Sequence, residues 1–150
     1  MPVICAEMAR ILIAGCGCRG RELGRALAAE GHAVRGTSRA VAGRDAIEAA
    51  GLEGVVADPG RLATLLPALD GVSVVVWLLA SVDDEALHGP RLASLLERLV
   101  DTPVRGFVYE GGAGEGLVRR AADTWRIPAA VASGGELHAA IARILAGQGR

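Results

Sequence analysis

Arg10-Ile11-Leu12-Ile13-Ala14-Gly15-Cys16-Gly17-Cys18-Arg19-Gly20 is the stretch whose reading decides the fold. Residues 10–14 form a short apolar, β-branched run closed by glycine, as a buried parallel strand does. From Gly20 to Glu30, Leu23, Ala26, Leu27 and Glu30 recur at helical spacing, and Gly31 supplies the stop. Between the two runs lies G-x-G-x-x-G. In a strand–turn–helix setting the first glycine permits the tight turn and the second lets a pyrophosphate approach the backbone. The third lets helix and strand pack closely. Free amides at the helix start, with the helix dipole behind them, hold phosphate oxygens. Gly15, Gly17, Cys18, Arg19 and Gly20 are therefore the expected loop residues of a dinucleotide site. A tight turn without a ligand is the alternative.

Outward from this stretch, strand and helix patterns alternate. Ala33–Thr37 reads as a second strand, Ala40–Ala50 as a helix closed by Gly51, and Val55–Ala57 as a third strand. Asp58-Pro59 reads as an N-cap with proline at the first helical position. Leu62, Leu65, Leu66 and Leu69 then make a helical stripe that Pro67 ends or bends. Val72–Leu79 is the most apolar strand and so is expected at the sheet centre. Pro90–Val100 is helical, Val104–Tyr109 a fifth strand, Gly116–Trp125 another helix and Ala129–Ala132 a short sixth strand. Ser133-Gly134-Gly135-Glu136 reads as a capping box opening a last helix with Leu137, Ile141, Ile144 and Leu145. Strands separated by helices of about ten residues imply βαβ crossovers. The expected fold is α/β, a doubly wound Rossmann-type sheet of five or six parallel strands with helices on both faces. It is expected as one domain over 1–150, with 1–7 a loose extension before Met8-Ala9-Arg10.

Composition narrows the chemistry. The chain has 150 residues, is 51% hydrophobic and 22% charged, and has a formal net charge of -1. Such a chain folds, and its balance offers no electrostatic warrant for nucleic acid or an anionic membrane. All 16 basic residues are arginine, which excludes Schiff-base lysines, a P-loop lysine and any Tyr/Lys pair. Cys5, Cys16 and Cys18 are an odd, clustered set that reads as reduced thiols, and C-x-C beside three scattered histidines reads as no metal site. Val72–Ala80 is too short to span a bilayer, which needs about 20 residues. With no signal-peptide pattern, a cytoplasmic location is the expectation.

The second strand bears on which dinucleotide binds. Sites selective for NAD place an acid about 20 residues after the motif, on the ribose 2′-hydroxyl. Here the chain reads Arg35-Gly36-Thr37-Ser38-Arg39, without an acid. Ser38 can donate to a 2′-phosphate and Arg39 can pair with it as a planar fork, with Arg19 a further contributor. NADP is the expected cofactor, with NAD the alternative. A methyltransferase binding S-adenosylmethionine also generally wants the missing acid.

Together with Glu30-Gly31-His32-Ala33-Val34, Gly36-Thr37-Ser38-Arg39, Asp58-Pro59 and Ala68-Leu69-Asp70-Gly71-Val72, the motif resembles the atypical and extended short-chain dehydrogenases. These include the NAD(P)-dependent epimerase/dehydratase and NmrA-like groups. The resemblance is close over residues 9–82 and holds in outline beyond. It implies that Asp58 contacts the adenine, that Leu79, Ala80 and Ser81 border the nicotinamide side, and that His32 is structural. Catalytic members carry Tyr-x-x-x-Lys, which a chain without lysine cannot supply, and this sequence shows no counterpart of their substrate-binding C-terminal region. After the fifth strand stand Tyr109 and Glu110, a candidate donor and a candidate general base at the sheet edge where ligands bind. A plain glycine loop is the competing reading.

Among the remaining candidates, Asp83-Asp84-Glu85 reads as a solvated acidic turn, and His88 and His138 as unassociated with any nucleophile. Cys16 and Cys18 stand at a helix start that can lower a thiol pKa and make it oxidation-sensitive, but small fillers of two variable motif positions is the preferred reading. Trp77 and Trp125 read as packing. The expected function is an NADP(H)-binding oxidoreductase- or epimerase-like protein acting on a small metabolite. The alternative is a non-catalytic dinucleotide sensor or a subunit of a larger complex, and leucine-faced helices make a homodimer an expectation.

Overall fold

Alternate side chains of each central strand feed two separate cores, and this divides the helices between the faces of one sheet. In the computed structural model, residues 9–79, 89–112 and 114–148 are described. Six strands, β1 (Arg10–Ala14), β2 (Ala33–Ser38), β3 (Glu53–Val56), β4 (Val74–Trp77), β5 (Gly106–Glu110) and β6 (Ala129–Ala132), pair in parallel in the order β3-β2-β1-β4-β5-β6. The helices are α1 (Cys18–Ala29), α2 (Val41–Ala49), α3 (Leu62–Leu65), α4 (Pro90–Leu99), α5 (Glu115–Trp125) and α6 (Leu137–Gln148).

On one face Leu12, Val75, Trp77, Phe107 and Tyr109 pack with Leu65 of α3, Leu92, Leu95, Leu96 and Leu99 of α4, and Val118 of α5. On the other, Ile11, Ile13, Val74, Val76 and Val108 meet Leu27 of α1, Ile47 of α2, and Leu137, Ala140 and Ile141 of α6. Strands covered on both faces carry continuous apolar runs, which is why β1 and β4 were readable. The doubly wound Rossmann-type sheet agrees with the expectation, at the upper strand count, and β4 lies at its centre. No helix among the described residues is long and apolar enough to cross a membrane.

The local expectations that fail do so at caps and strand edges. Asp58 caps no helix: its Oδ1 accepts the Gly60 N–H at 2.9 Å, and α3 begins only at Leu62 behind Arg61. The Thr64 hydroxyl accepts the Asp58 N–H at 2.8 Å, locking this turn before the helix. After Leu65 the chain tightens into a 3-10 turn, Leu66–Leu69, at Pro67, where the proline was expected to end or bend the helix. Ser133 makes no side-chain cap bond; Gly134–Glu136 is a 3-10 turn closed by Glu136 N–H to the Ser133 carbonyl, 3.0 Å. The expected third strand starts two residues earlier and ends one earlier, at Glu53–Val56. Trp125 is exposed rather than packed, while Trp77 is fully buried, 6.3 Å from Phe107 between ring centroids.

Two polar anchors fix the elements near the site. His32, before β2, accepts the Ala9 N–H on Nδ1 at 3.1 Å. Arg35 on β2 is buried, donates to the carbonyls of Ala68 (2.6 Å) and Asp70 (3.0 Å), and lies 3.1 Å from Glu53 Oε1.

Candidate cofactor site

The site grows from the β1–α1 turn. Gly15 has φ +82°, and a Cβ there would lie 2.5 Å from Leu79 Cδ2 and 2.8 Å from the Leu78 carbonyl oxygen. Only glycine makes this turn without strain. Thr37, buried on β2, pins the turn from below: its Oγ1 accepts the Gly15 N–H at 3.2 Å and its carbonyl the Cys16 N–H at 2.9 Å. Gly17 precedes α1 and is exposed, with nothing within 4 Å of a Cβ placed on it. Gly20 faces the strand; its Cβ would lie 3.1 Å from Cys16 Sγ and 3.3 Å from Ile13 Cγ2. The first helical amides, those of residues 18–20, have no intrahelical acceptor by helix geometry.

Between this turn and the carboxyl ends of β2 and β3 opens a cleft of about 220 Å³. Gly15, Gly17, Ser38, Arg39, Asp58 and Leu79 line it, joined by Cys16, Arg21, Thr37, Gly43, Ala57 and Pro59. It lies on the β2 side of the β1 end, with Leu79 beyond β4 on its rim, next to the β1–β4 boundary where strand order reverses and open α/β sheets bind ligands. Ser38 Oγ accepts the Ala40 N–H at 3.2 Å, at the start of α2, whose first turn carries no acid. Arg21 and Thr37 escaped sequence reading because they fall outside the glycine pattern. What brings them in is helix phase for the first and strand alternation for the second.

Other candidates lie elsewhere. Ala80 and Ser81 lie outside the described residues, as do Cys5, Asp83-Asp84-Glu85, His88 and residues 1–7. Cys18 is exposed at the start of α1 and lines no part of the cleft. Arg19, expected near the phosphates, turns instead to Glu110 at the end of β5. Its Nη1 pairs with Oε2 and its Nη2 donates to Oε1 at 3.0 Å. The Glu110 carboxylate, the candidate base, is thus buried with both oxygens taken by a guanidinium. The Tyr109 hydroxyl accepts the Gly114 N–H at 2.8 Å within the core beside α5, and burial pushes its pKa up. Cys16 agrees with the filler reading: desolvation raises its thiol to about 11, against a smaller lowering by Arg21. It packs toward Gly20 and Gly36 as a filler. His138 Nε2 lies 3.1 Å from Glu30 Oε1, tying α6 to the end of α1.

A larger concavity, about 490 Å³, lies between β6 and α6, with Arg105, Arg143, Ala130 and Ile144 among its lining residues. It has no glycine turn and sits toward the amino ends of β5 and β6, so the smaller cleft is the better candidate.

No family model matches the chain, and no curated protein does. Solved structures do. AtPrR2, solved with NADP+ and (+)pinoresinol, superposes with TM-score 0.64 at 21% identity, over 83% of this chain and 49% of that one. Triphenylmethane reductase of Citrobacter sp., complexed with NADP(H), gives 0.65 at 20%, over 81% and 48%. UDP-glucose 4-epimerase of Thermotoga maritima, solved with UDP-glucose, gives 0.68 at 15%, over 81% and 54%. The chain spans about half the length of these structures, and what it shares with these reductases and this epimerase is the Rossmann fold.

Proposed function

We propose that this chain binds NADP(H) across the carboxyl edge of its sheet and serves oxidoreductase- or epimerase-type chemistry on a small metabolite. The observation that carries the reading is convergence. One cleft gathers the Gly15–Gly17 turn and the end of β2 with Ser38 and Arg39, and no carboxylate stands at that strand end. The residues fit the cofactor: Gly17 leaves open space where a side chain would block a diphosphate. NADP+ and NADP(H) in two structures of the same fold support the choice of dinucleotide.

In this reading the amides of residues 18–20 hold the diphosphate, while Ser38 and Arg39 hold the phosphate on the adenosine ribose. Asp58 and Leu79 border the cleft on either side. When bound, the nicotinamide supplies the hydride donor or acceptor. The contribution of the chain itself is binding, orientation and exclusion of water. Neither Tyr109 nor Glu110 is set to exchange a proton in the cleft, since each is engaged within the fold.

Calorimetric titration with NADPH and NADH tests this. The expected result is tighter binding of NADPH, with Arg39→Ala reducing the preference by about tenfold or more, as a charge-assisted hydrogen bond is worth roughly 1.5–3 kcal/mol. Equal affinity for NADH would contradict the assignment of Ser38 and Arg39, and no binding of either would contradict the site.

A further inference from the structure

Two arginines face this cleft, and only one stands at the end of β2. Arg21, in the first turns of α1, lines the same space as Ser38, Arg39 and Gly43. An α-helix advances about 100° per residue, so Arg19 and Arg21 point to opposite sides of α1. Arg19 goes to Glu110 on β5, whereas Arg21 lines the cleft that the end of β2 also lines. The Arg21 Nη2 lies 3.2 Å from Cys18 Sγ, one turn back on the same helix.

The charge balance is lopsided. Among the described residues neither Arg21 nor Arg39 is in a salt bridge, whereas Arg19, Arg35, Arg44 and Arg119 each are. Asp58 is the lone carboxylate among the described lining residues, and its Oδ1 accepts an amide. Unpaired like charges sharing a small cleft repel, and a dianion between them turns that repulsion into attraction. A phosphate monoester, with a charge of about −1.5 to −2 near neutral pH, has that charge. The bridging phosphates of a dinucleotide carry one charge each and have the helix amides.

We infer that Arg21 is a specificity-determining residue, the second arm of a two-arginine clamp with Arg39 on the ribose phosphate of NADP(H). The inference rests on the cleft being a dinucleotide site. It makes Arg21 matter only for ligands that carry a phosphate on the adenosine ribose.

The full chain and its Arg21→Gln, Arg21→Lys, Arg39→Gln and doubly substituted forms are titrated calorimetrically with NADPH, NADH and 2′,5′-ADP, with thermal melts to show that each is folded. Arg21→Gln is expected to weaken NADPH and 2′,5′-ADP by about tenfold or more while NADH stays within about twofold. Arg21→Lys should recover part of the loss, and the double substitution should bring NADPH to the level of NADH. Equal weakening of NADPH and NADH would overturn the inference by placing Arg21 on the diphosphate, and NADPH binding indifferent to Arg21 would overturn it outright. A wild-type chain that binds neither dinucleotide overturns the dinucleotide reading itself.

Discussion

Cys16 is buried in the β1–α1 turn, and its burial has a consequence for stability. Desolvation raises its thiol from 9.0 to about 11. Above pH 9 the unfolded chain releases this proton while the folded chain keeps it, so stability falls as pH rises from 9 toward 11. Two pH units cap the contribution at about 3 kcal/mol. Thermal melts from pH 8 to 11 should therefore decline more steeply for the wild type than for Cys16→Ala; parallel profiles would contradict the assignment. Gly36 makes the same corner on β2, where an added Cβ would lie 2.7 Å from Cys16 Sγ and 2.8 Å from its Cβ. Gly36→Ala is expected to destabilise by about 1–3 kcal/mol through overpacking, read by urea unfolding. At this scale the glycine pattern was legible, because backbone constraint shows in residue type. The direction of a side chain was not: Arg19 stands inside the motif and Arg21 just after it, and only helix phase separates their surroundings.

Between elements, the Arg19–Glu110 pair links the start of α1 to the end of β5, 91 positions apart in sequence. Glu110 is buried while Arg19 is half exposed, so removing the arginine strands a carboxylate in the protein interior. Loss of one partner of a buried pair costs about 3–5 kcal/mol, and the exposure of Arg19 lowers this to roughly 2 kcal/mol. Arg119→Ala, breaking the exposed pair with Glu115 one turn away on α5, is expected to cost no more than about 0.5 kcal/mol. Chemical denaturation of both variants checks the contrast, and equal costs would contradict it. The strands and helices themselves were readable from alternating patterns. Their ends at Asp58 and Ser133 were not, because the carboxylate of Asp58 and the backbone of the Ser133 turn close local bonds that displace the expected caps. Arg35 likewise reads as a polar strand residue, and only the fold shows it buried against the carbonyls of Ala68 and Asp70.

Across the whole molecule, the order β3-β2-β1-β4-β5-β6 puts the glycine turn of β1 beside the ends of β2 and β3. Hydrophobic periodicity identifies the strands but carries no information on their order, which comes from how the crossovers pack. The cleft was therefore legible only in part: Gly15, Gly17, Ser38, Arg39, Asp58 and Leu79 meet there, whereas Arg21, Thr37 and Gly43 enter through the fold. A ligand that binds only the folded chain stabilises it by about 2.7 kcal/mol at a hundredfold excess over Kd, so NADPH should raise the melting temperature more than NADH at equal concentration. The most direct measurement is amide hydrogen exchange of the full chain with and without saturating NADPH. The account predicts new protection in residues 15–21 and 37–43, at both walls of the cleft. Protection confined to the groove between β6 and α6, or no change anywhere, would contradict it.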